Sequence, residues 1–260
     1  MSSRQERKHE ARANRLEREA ELRAKARRKR RLAGASALIL TAASVAAAIA
    51  LVASGAARMS SVSGLTSRDF EPLSVLGKLE SHGSPGALGP EGVPIPQAPD
   101  LTRRSATSAS SPVDAIQCLG AEQLLFHIHA HLTVFVNGAA TRIPYGIGIR
   151  QPQVTATPAG PYVGGGTCFY WLHTHAADGI IHIESPIART FTLGDFFDVW
   201  GQKLGPNRVG PSAGPVTALL GGRVYRGNPR DIPLTAHGQI QLEVGRPLVA
   251  PVSITFPAGL

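Results

Sequence analysis

Methionine and cysteine are scarce in this chain, which has two of each among its 260 residues. Both methionines, Met1 and Met59, lie in the first quarter of the sequence, so the rest of the chain offers no thioether to a Cu(I) ion. The chain also lacks the G-x-x-x-x-G-K-[ST] phosphate-binding loop and the H-E-x-x-H zinc motif. Two common signatures, of nucleotide-binding enzymes and of metallopeptidases, are therefore missing.

Acidic residues are also few, 18 Asp and Glu against 27 Lys and Arg, and the imbalance is confined to one end of the chain. Residues 1–31 carry 13 basic and 5 acidic side chains, which accounts for nearly all of the net charge of +9. Because the rest of the chain is close to neutral, we expect no nucleic-acid partner. We interpret residues 1–32 as a basic cytoplasmic tail that lies against anionic lipid head groups.

A stretch without any charged residue follows the tail, from residue 33 to residue 57. As a helix it would be about 37 Å long, enough for a hydrocarbon core of roughly 30 Å. Since the Lys and Arg excess lies on its N-terminal side, we predict a single-pass transmembrane helix in the plasma membrane, with the N-terminus in the cytoplasm and the C-terminal region outside. Membrane lipid is then the partner of this helix and of the tail. A cleaved signal peptide is the alternative, because small residues at 54–57 would permit cleavage.

Residues 58–112 are rich in Gly, Pro and Ser, which indicates a flexible linker with too little apolar surface to fold. Residues 113–260 can hold one hydrophobic core. Their signals are mostly those of strands, the last expected at QIQLEVG and VSITF, and TLGDFFDVWGQKL is the clear helix. We predict a mainly β, extracytoplasmic domain, an antiparallel sandwich or barrel with one short helix.

The two cysteines, Cys118 and Cys168, both lie beyond the apolar stretch. In an oxidising compartment such a pair most simply forms one disulfide. Each cysteine lies shortly before one of two histidine-rich motifs, so the bridge would tie the two motifs together. Ligation of a metal ion by a free thiolate, as in blue-copper sites, is the alternative.

Six of the nine histidines fall within the two motifs, FHIHAHL and WLHTHAADGIIHIE. In the first, every even-numbered residue from 124 to 136 is apolar, so the histidines share the opposite face of a strand. They are His127, His129 and His131. Asn137-Gly138, just after the motif, predicts a hairpin turn.

The second motif predicts a hairpin that gathers further histidines. A two-residue turn at Asp178-Gly179 sets His175 opposite His182, whereas a four-residue loop sets His173 opposite His182. In both registers one face carries His173, His175, His182 and Glu184. The Pro- and Gly-rich connection before this motif, 144–167, either lies over the histidine face or is disordered.

Imidazoles paired in this way are typical of transition-metal sites, which need three or four ligands at about 2.0–2.2 Å. The candidate ligands are His127, His129, His131, His173, His175, His182 and Glu184. They exceed the needs of one ion, so either some orient the others or two ions bind. Imidazole with a carboxylate suits Zn(II), Cu(II) or Fe(II). A polar strand face that happens to use histidine, or a pH-responsive imidazole cluster, is the competing interpretation.

Three functions agree with such a site. The first is metal binding without turnover, as a buffer, carrier or sensor outside the membrane. The second is a hydrolytic or oxygen-using metalloenzyme, in which an open coordination position holds an acidified water and Glu184 or Asp178 is the candidate general base. The third is a structural module of the cell envelope. No protein partner is indicated by the sequence.

The two motifs, with VFVNG after the first and RTFTLGDFFDVWG after the second, resemble those of a group of uncharacterised bacterial proteins that are membrane-anchored or secreted. The resemblance covers roughly residues 120–245. It implies a family and a compartment outside the cytoplasm, and it implies no particular reaction.

Overall fold

The computed structural model describes residues 64–102 and 112–260, which belong to one compact unit, Ser63–Leu260. The predicted basic tail, 1–32, and the predicted transmembrane helix, 33–57, lie outside the described residues. In the part of the chain that is described, no helix is long and apolar enough to cross a membrane.

The described residues form twenty strands, of which the longest carries the first histidine motif. In chain order they are β1 (Phe70–Glu71), β2 (Ala87–Leu88), β3 (Pro94–Ile95), β4 (Cys118–Leu119), β5 (Phe126–Val136), β6 (Ala139–Thr141), β7 (Ile149–Arg150), β8 (Gln153–Thr157), β9 (Gly160–Gly165), β10 (Cys168–Tyr170), β11 (Leu172–His173), β12 (Ile180–Ser185), β13 (Phe191–Thr192), β14 (Leu204–Gly205), β15 (Arg208–Val209), β16 (Ser212–Ala213), β17 (Val216–Leu220), β18 (Arg223–Tyr225), β19 (Pro233–Leu234) and β20 (Gly238–Val244). One α-helix, α1 (Leu193–Trp200), occurs within these residues, with short 3₁₀ turns at Ser67–Asp69, Leu73–Leu76 and Pro229–Asp231. The described part is therefore mainly β with one short helix, as predicted.

The largest sheet has eight strands and is built around β5. Its order is β1-β18-β17-β20-β5-β12-β11, and β6 also pairs with β5. β5 runs parallel to β20 and antiparallel to β12, so the sheet is mixed, whereas a purely antiparallel one was expected. The sheets are open, which rules out the barrel form of the prediction.

A two-residue turn joins β5 to β6, as the Asn137-Gly138 pair predicts. Both turn residues have positive φ values, 50° and 79°. Asn and Gly adopt this left-handed backbone at the lowest cost, and it matches the twist of a hairpin. The turn fixes the position of β5 at its C-terminal end.

One face of the main sheet packs against α1 and forms the core. The even-numbered residues Ala130, Leu132 and Val134 of β5 are buried in it, as the alternating pattern predicts. The helix contributes the buried rings of Phe196, Phe197 and Trp200. Because this face is filled with apolar side chains, the histidines of β5 lie on the other face of the sheet.

The predicted start of the helix is confirmed. Thr192 precedes α1, and its hydroxyl accepts a hydrogen bond from the N–H of Asp195. The Asp195 carboxylate in turn accepts one from the N–H of Thr192. This reciprocal capping box satisfies two backbone donors that a helix start otherwise leaves unpaired.

Residues 64–102 do not form the flexible linker that we expected over 58–112. β1 pairs with β18 at the edge of the main sheet, and Glu80 makes backbone hydrogen bonds with Leu248 and Ala250. Val93 and Leu101 are buried. The segment docks through backbone hydrogen bonds and isolated apolar side chains, so it lacks the periodic apolar face by which a folded segment is recognised. The compact unit thus extends from Ser63, and not from residue 113.

The strand expected at VSITF is not formed. Instead, the backbone N–H groups of Val252 and Ile254 donate to the side-chain amides of Gln241 and Gln239. These two glutamines lie on β20, so the segment follows that strand through side chains and not through a backbone ladder.

A disulfide joins Cys118 and Cys168, with 5.4 Å between their Cα atoms. The predicted bridge is thereby confirmed, and neither sulfur is available as a thiolate ligand. The bridge joins β4 to β10, which are also neighbours in a small sheet. Because β10 leads directly into β11, the bridge anchors the start of the second histidine motif.

Candidate metal centre

Strand β12 lies between β5 and β11 and brings the two histidine motifs onto one face. His182 pairs with His129 on one side and with His173 on the other. Glu184 pairs with His127. The hairpin therefore has the register of the longer predicted loop, with His173 opposite His182, and the two motifs meet across a single strand.

Four donor atoms form a closed ring between β5 and β12, here called group A (His127, His129, His182 and Glu184). Successive distances are 3.1 Å from His127 Nε2 to His129 Nε2, 3.1 Å to His182 Nδ1, 3.4 Å to Glu184 Oε1 and 3.2 Å back to His127 Nε2. Ligands at about 2.1 Å from one ion lie about 3.0–3.4 Å apart at bond angles between square and tetrahedral values. The ring therefore has the dimensions of a metal coordination sphere.

A second set of donors, here called group B, consists of His173, His175, His182 and Glu184. All four side chains are buried, and their donor atoms lie within 4.8 Å of one another. His173 Nε2 lies 3.1 Å from His175 Nε2 and 3.8 Å from Glu184 Oε2. Glu184 Oε2 is buried without a hydrogen-bond partner, which is costly for a carboxylate oxygen unless a cation compensates it.

In His173 and His175, a hydrogen bond from one ring nitrogen to a backbone carbonyl determines which nitrogen faces the other donors of the cluster. His173 Nδ1 donates to the carbonyl of Tyr170 at 2.9 Å, and His175 Nδ1 donates to the carbonyl of Val163. A carbonyl only accepts, so each neutral ring keeps its proton on Nδ1 and presents a lone pair on Nε2. The two lone pairs therefore face each other across 3.1 Å with no proton between them.

Burial keeps most of these imidazoles neutral. Desolvation, aided by the neighbouring His182, lowers the pKa of His129 to about 3. The same causes lower the pKa of His173 and that of His175. A neutral imidazole is the form that binds metal, so this part of the cluster does not have to lose protons first.

His182 differs because two carboxylates contact it. Burial acts to lower its pKa, but hydrogen bonds to Glu184 and Glu91 outweigh that effect and raise the pKa to about 9. Without a metal ion, a proton therefore lies on Nδ1, between the ring and Glu184. An ion that binds Nδ1 displaces this proton, which is the usual coupling of metal binding to proton release.

His131 lies apart from both donor groups. Its Nε2 is 2.9 Å from the backbone carbonyl of Asp178, and burial lowers its pKa to about 4. The Asp178 carboxylate is also outside the groups, and its Oδ1 accepts a hydrogen bond from the N–H of Ile180. Both residues line a separate cavity of about 360 Å³. Among the predicted ligands, only His131 therefore lies outside both groups, and the role of Asp178 as a base stays a prediction.

Three residues near the cluster were missed by the sequence analysis. Glu91 Oε1 lies 2.8 Å from His182 Nε2, Glu122 Oε1 lies 3.5 Å from His175 Nε2, and the ring of Tyr162 stacks on His175 at 5.3 Å. Glu91 was hidden because its Pro- and Gly-rich segment reads as linker. Tyr162 lies in the connection 144–167. The length of this connection was the reason to expect that the connection could lie over the histidine face.

A cleft of about 530 Å³ opens onto the cluster. Its walls include Glu91, Glu122, Tyr162 and the residues 257–260, besides the rings of both motifs. His127 is the most exposed of the candidate ligands, with 36% of its side chain accessible. An ion in the cluster would thus be reachable from solvent on this side.

One further pattern in the chain, G-P-S-A-G at 210–214, matches the G-x-S-x-G string of serine hydrolases. That motif works at a sharp turn between a strand and a helix. Here Ser212 lies in the short strand β16 and is followed by strand β17. The serine is therefore not presented as a nucleophile of that kind.

The cluster combines five imidazoles, four of them buried, with one shared and buried carboxylate. In His173, His175 and His182 the ring nitrogen that points away from the other donors is held by a hydrogen bond. Such an arrangement could hold a metal ion. Comparisons of the chain with protein-family models, with curated proteins and with solved structures find no match.

Proposed function

We propose that this protein binds a transition-metal ion through the histidine cluster. The observation that carries the proposal is the pair of bare Nε2 atoms on His173 and His175, 3.1 Å apart, each ring locked by a hydrogen bond from Nδ1. Two lone pairs at this distance repel each other in the absence of a proton or a cation. A metal ion between them turns that repulsion into two coordinate bonds.

The donor set favours Zn(II), Cu(II) or Fe(II) over other ions. It consists of imidazole nitrogens and one carboxylate, with both cysteines in a disulfide. Soft ions prefer thiolate or thioether ligands, and Ca(II) or Mg(II) prefer oxygen ligands throughout. Our first candidate role is that of a metal buffer, carrier or sensor.

A metal-dependent enzyme is the second candidate, because the cleft reaches the cluster. The carboxylate of Glu122 lies at its rim, and burial, followed by the charge of Glu184, raises the pKa of Glu122. A carboxylate of that kind beside an ion with an open position could accept a proton from bound water.

Azide added to the Co(II)-loaded protein distinguishes the two roles. A shift of the visible absorption bands indicates an open position and favours the enzyme, whereas unchanged bands favour the buffer or carrier.

We also propose that the compact unit lies outside the plasma membrane, anchored by residues 33–57 with the N-terminus in the cytoplasm. The basic tail before that stretch and the disulfide, which is typical of oxidising compartments, support this location. Added protease should degrade the compact unit in intact cells or spheroplasts. Without protease, the full-length protein should be recovered in the membrane fraction. Recovery of an undegraded, soluble protein from the cytoplasm would contradict the proposal.

The test of metal binding is elemental analysis of the untagged, full-length protein purified in detergent without chelators. We expect at least one equivalent of transition metal per chain, as isolated or after addition of Zn(II) or Cu(II). The variant His82→Ala, which removes an exposed histidine outside the cluster, is the matched control and should bind as much as the wild type. Less than a tenth of an equivalent in the wild type after metal addition would overturn the proposal.

A further inference from the structure

We propose that the cluster holds two metal ions bridged by the carboxylate of Glu184. The inference rests on the proposed metal-binding function and specifies its stoichiometry. Glu184 Oε1 belongs to group A, where it lies 3.2 Å from His127 Nε2, and Glu184 Oε2 faces His173 Nε2 of group B at 3.8 Å. The two oxygens of one carboxylate thus point at two different sets of imidazoles.

The number of donors is too large for one ion. Five imidazole nitrogens and two carboxylate oxygens face the cluster, whereas zinc and its neighbours take four to six ligands. The donors also divide into two overlapping groups, and within each group the donor atoms lie within 4.8 Å of one another. One ion at group A would leave the two facing lone pairs of His173 and His175 uncompensated.

The hydrogen bond of His182 assigns the shared imidazole to group A. Its Nε2 donates to Glu91 at 2.8 Å, so only Nδ1 is available as a ligand, and Nδ1 lies 3.1 Å from His129 Nε2. The first ion then has four ligands, the three imidazoles of His127, His129 and His182 and Glu184 Oε1. The second ion has His173, His175 and Glu184 Oε2, and its remaining positions face Glu122 and the cleft. Pairs of ions that share ligands in this way lie about 3.5–4 Å apart.

The charges around the cluster suit two divalent cations. Three carboxylates, those of Glu91, Glu122 and Glu184, surround five imidazoles. None of the described residues that line the cleft is Lys or Arg. With three carboxylates of charge −1 each, one divalent ion leaves a net charge of −1 and two leave +1, so the site can hold a second ion without a large excess of either sign.

Titration of the full-length protein with Cu(II), followed by elemental analysis and electron paramagnetic resonance, tests the inference. We expect two equivalents per chain, with the signal of isolated Cu(II) lost or broadened as the second equivalent binds, because two unpaired electrons within about 4 Å couple strongly. One equivalent at saturation would overturn the ion pair and leave the metal-binding function intact. Two equivalents with the signal of isolated ions would also overturn it, and no binding would overturn both proposals.

Paired variants assign the ions to their groups. The double variants His127→Ala/His129→Ala and His173→Ala/His175→Ala should each bind one equivalent with an uncoupled signal. His82→Ala should bind two coupled ions like the wild type. Circular dichroism verifies that each variant is folded, and the His→Asn versions replace any that is not. Retention of two coupled ions in either double variant would contradict the assignment.

Discussion

The carboxylate of Glu91 determines which nitrogen of His182 faces the cluster. By accepting from Nε2 it leaves Nδ1 as the ligand atom, and it stabilises the positive charge that the ring gains on binding a metal. Glu91 belongs to the segment 64–102, so a residue far from both motifs in sequence takes part in orienting a ligand. Through this interaction the segment 64–102 forms part of the site.

We predict that Glu91→Ala weakens the affinity for the ion in group A by about 10- to 100-fold, the usual cost of losing a residue that orients a ligand. The ring of His182 would then be free to rotate and to protonate on either nitrogen. Competition with a chelator of known affinity measures the change. Glu80→Ala removes an exposed carboxylate of the same segment and serves as the control, with unchanged affinity. Equal affinities of Glu91→Ala and the wild type would show that His182 is oriented by other contacts.

His131→Ala should leave metal stoichiometry unchanged and lower the stability of the fold. The substitution removes the hydrogen bond to the Asp178 carbonyl and leaves a void at a position that is 5% exposed. We expect a loss of about 2–4 kcal/mol in the free energy of unfolding. Urea unfolding followed by circular dichroism measures it, with metal content determined on the same sample. A loss of bound metal would instead make His131 a ligand.

At the scale of elements, the alternation of residues in β5 and β12 was the part of the site that the sequence could predict. The apolar even positions of β5 require a core on one face, and therefore assign His127 and His129 to the other. The choice between the two loop lengths of the second hairpin remained open, because both registers place His173, His175, His182 and Glu184 on the same face. Glu91 and Glu122 could not be found, since each reaches the cluster through a tertiary contact that has no period in the sequence.

Strand β20, which pairs with β5 over seven residues, carries a buried acid. Burial raises the pKa of Glu243 to about 7, against the hydrogen bonds from Gln241 and Val249 that act to lower it. The folded protein therefore retains a proton that the unfolded chain loses near pH 4.5. The resulting cost to stability is absent below that pH, grows through the window from 4.5 to 7, and is fully present above it.

We predict that Glu243→Gln removes this cost. Relative to the wild type, the variant should gain stability on going from pH 4.5 to pH 8, by on the order of 2 kcal/mol. Urea unfolding of both proteins at the two pH values measures the difference, and Glu80→Gln, which removes an exposed carboxylate, is the control. Parallel pH profiles for Glu243→Gln and the wild type would show that the acid titrates normally.

For the whole molecule, the Cys118–Cys168 disulfide closes a loop of 50 residues that contains β5 and the connection over the cleft. Loops of this length give a stabilisation of about 2–5 kcal/mol when they are closed. We predict that the double variant Cys118→Ser/Cys168→Ser loses that amount in urea unfolding. Reductant should destabilise the wild type to the same extent and leave the variant unaffected. Equal stabilities of the oxidised wild type and the variant would contradict the prediction.

Metal binding should also stabilise the compact unit as a whole, because an unfolded chain cannot bring the two motifs together. At a free metal concentration of about 100 times Kd the gain is about 2.7 kcal/mol. For a unit of this size it corresponds to a rise in Tm of about 5–10 °C. Differential scanning calorimetry of the metal-free and Zn(II)-loaded protein measures it, with Mg(II) as the control ion. An unchanged Tm would contradict selective binding to the folded state.

The histidines of β5 repeat every two residues, so their positions alone do not determine the alignment of β5 against β12. If β5 slipped by two residues along β12, every side chain would keep its face, and His131 would take the place of His129 beside His182. In both alignments an imidazole of β5 therefore lies beside His182. Two other features select one alignment, namely the hydrogen bond between His131 Nε2 and the Asp178 carbonyl, in the middle of β5, and the turn at Asn137-Gly138, after its C-terminal end. His131, the third histidine of the motif, therefore helps to set the strand register in which His127 and His129 reach the cluster.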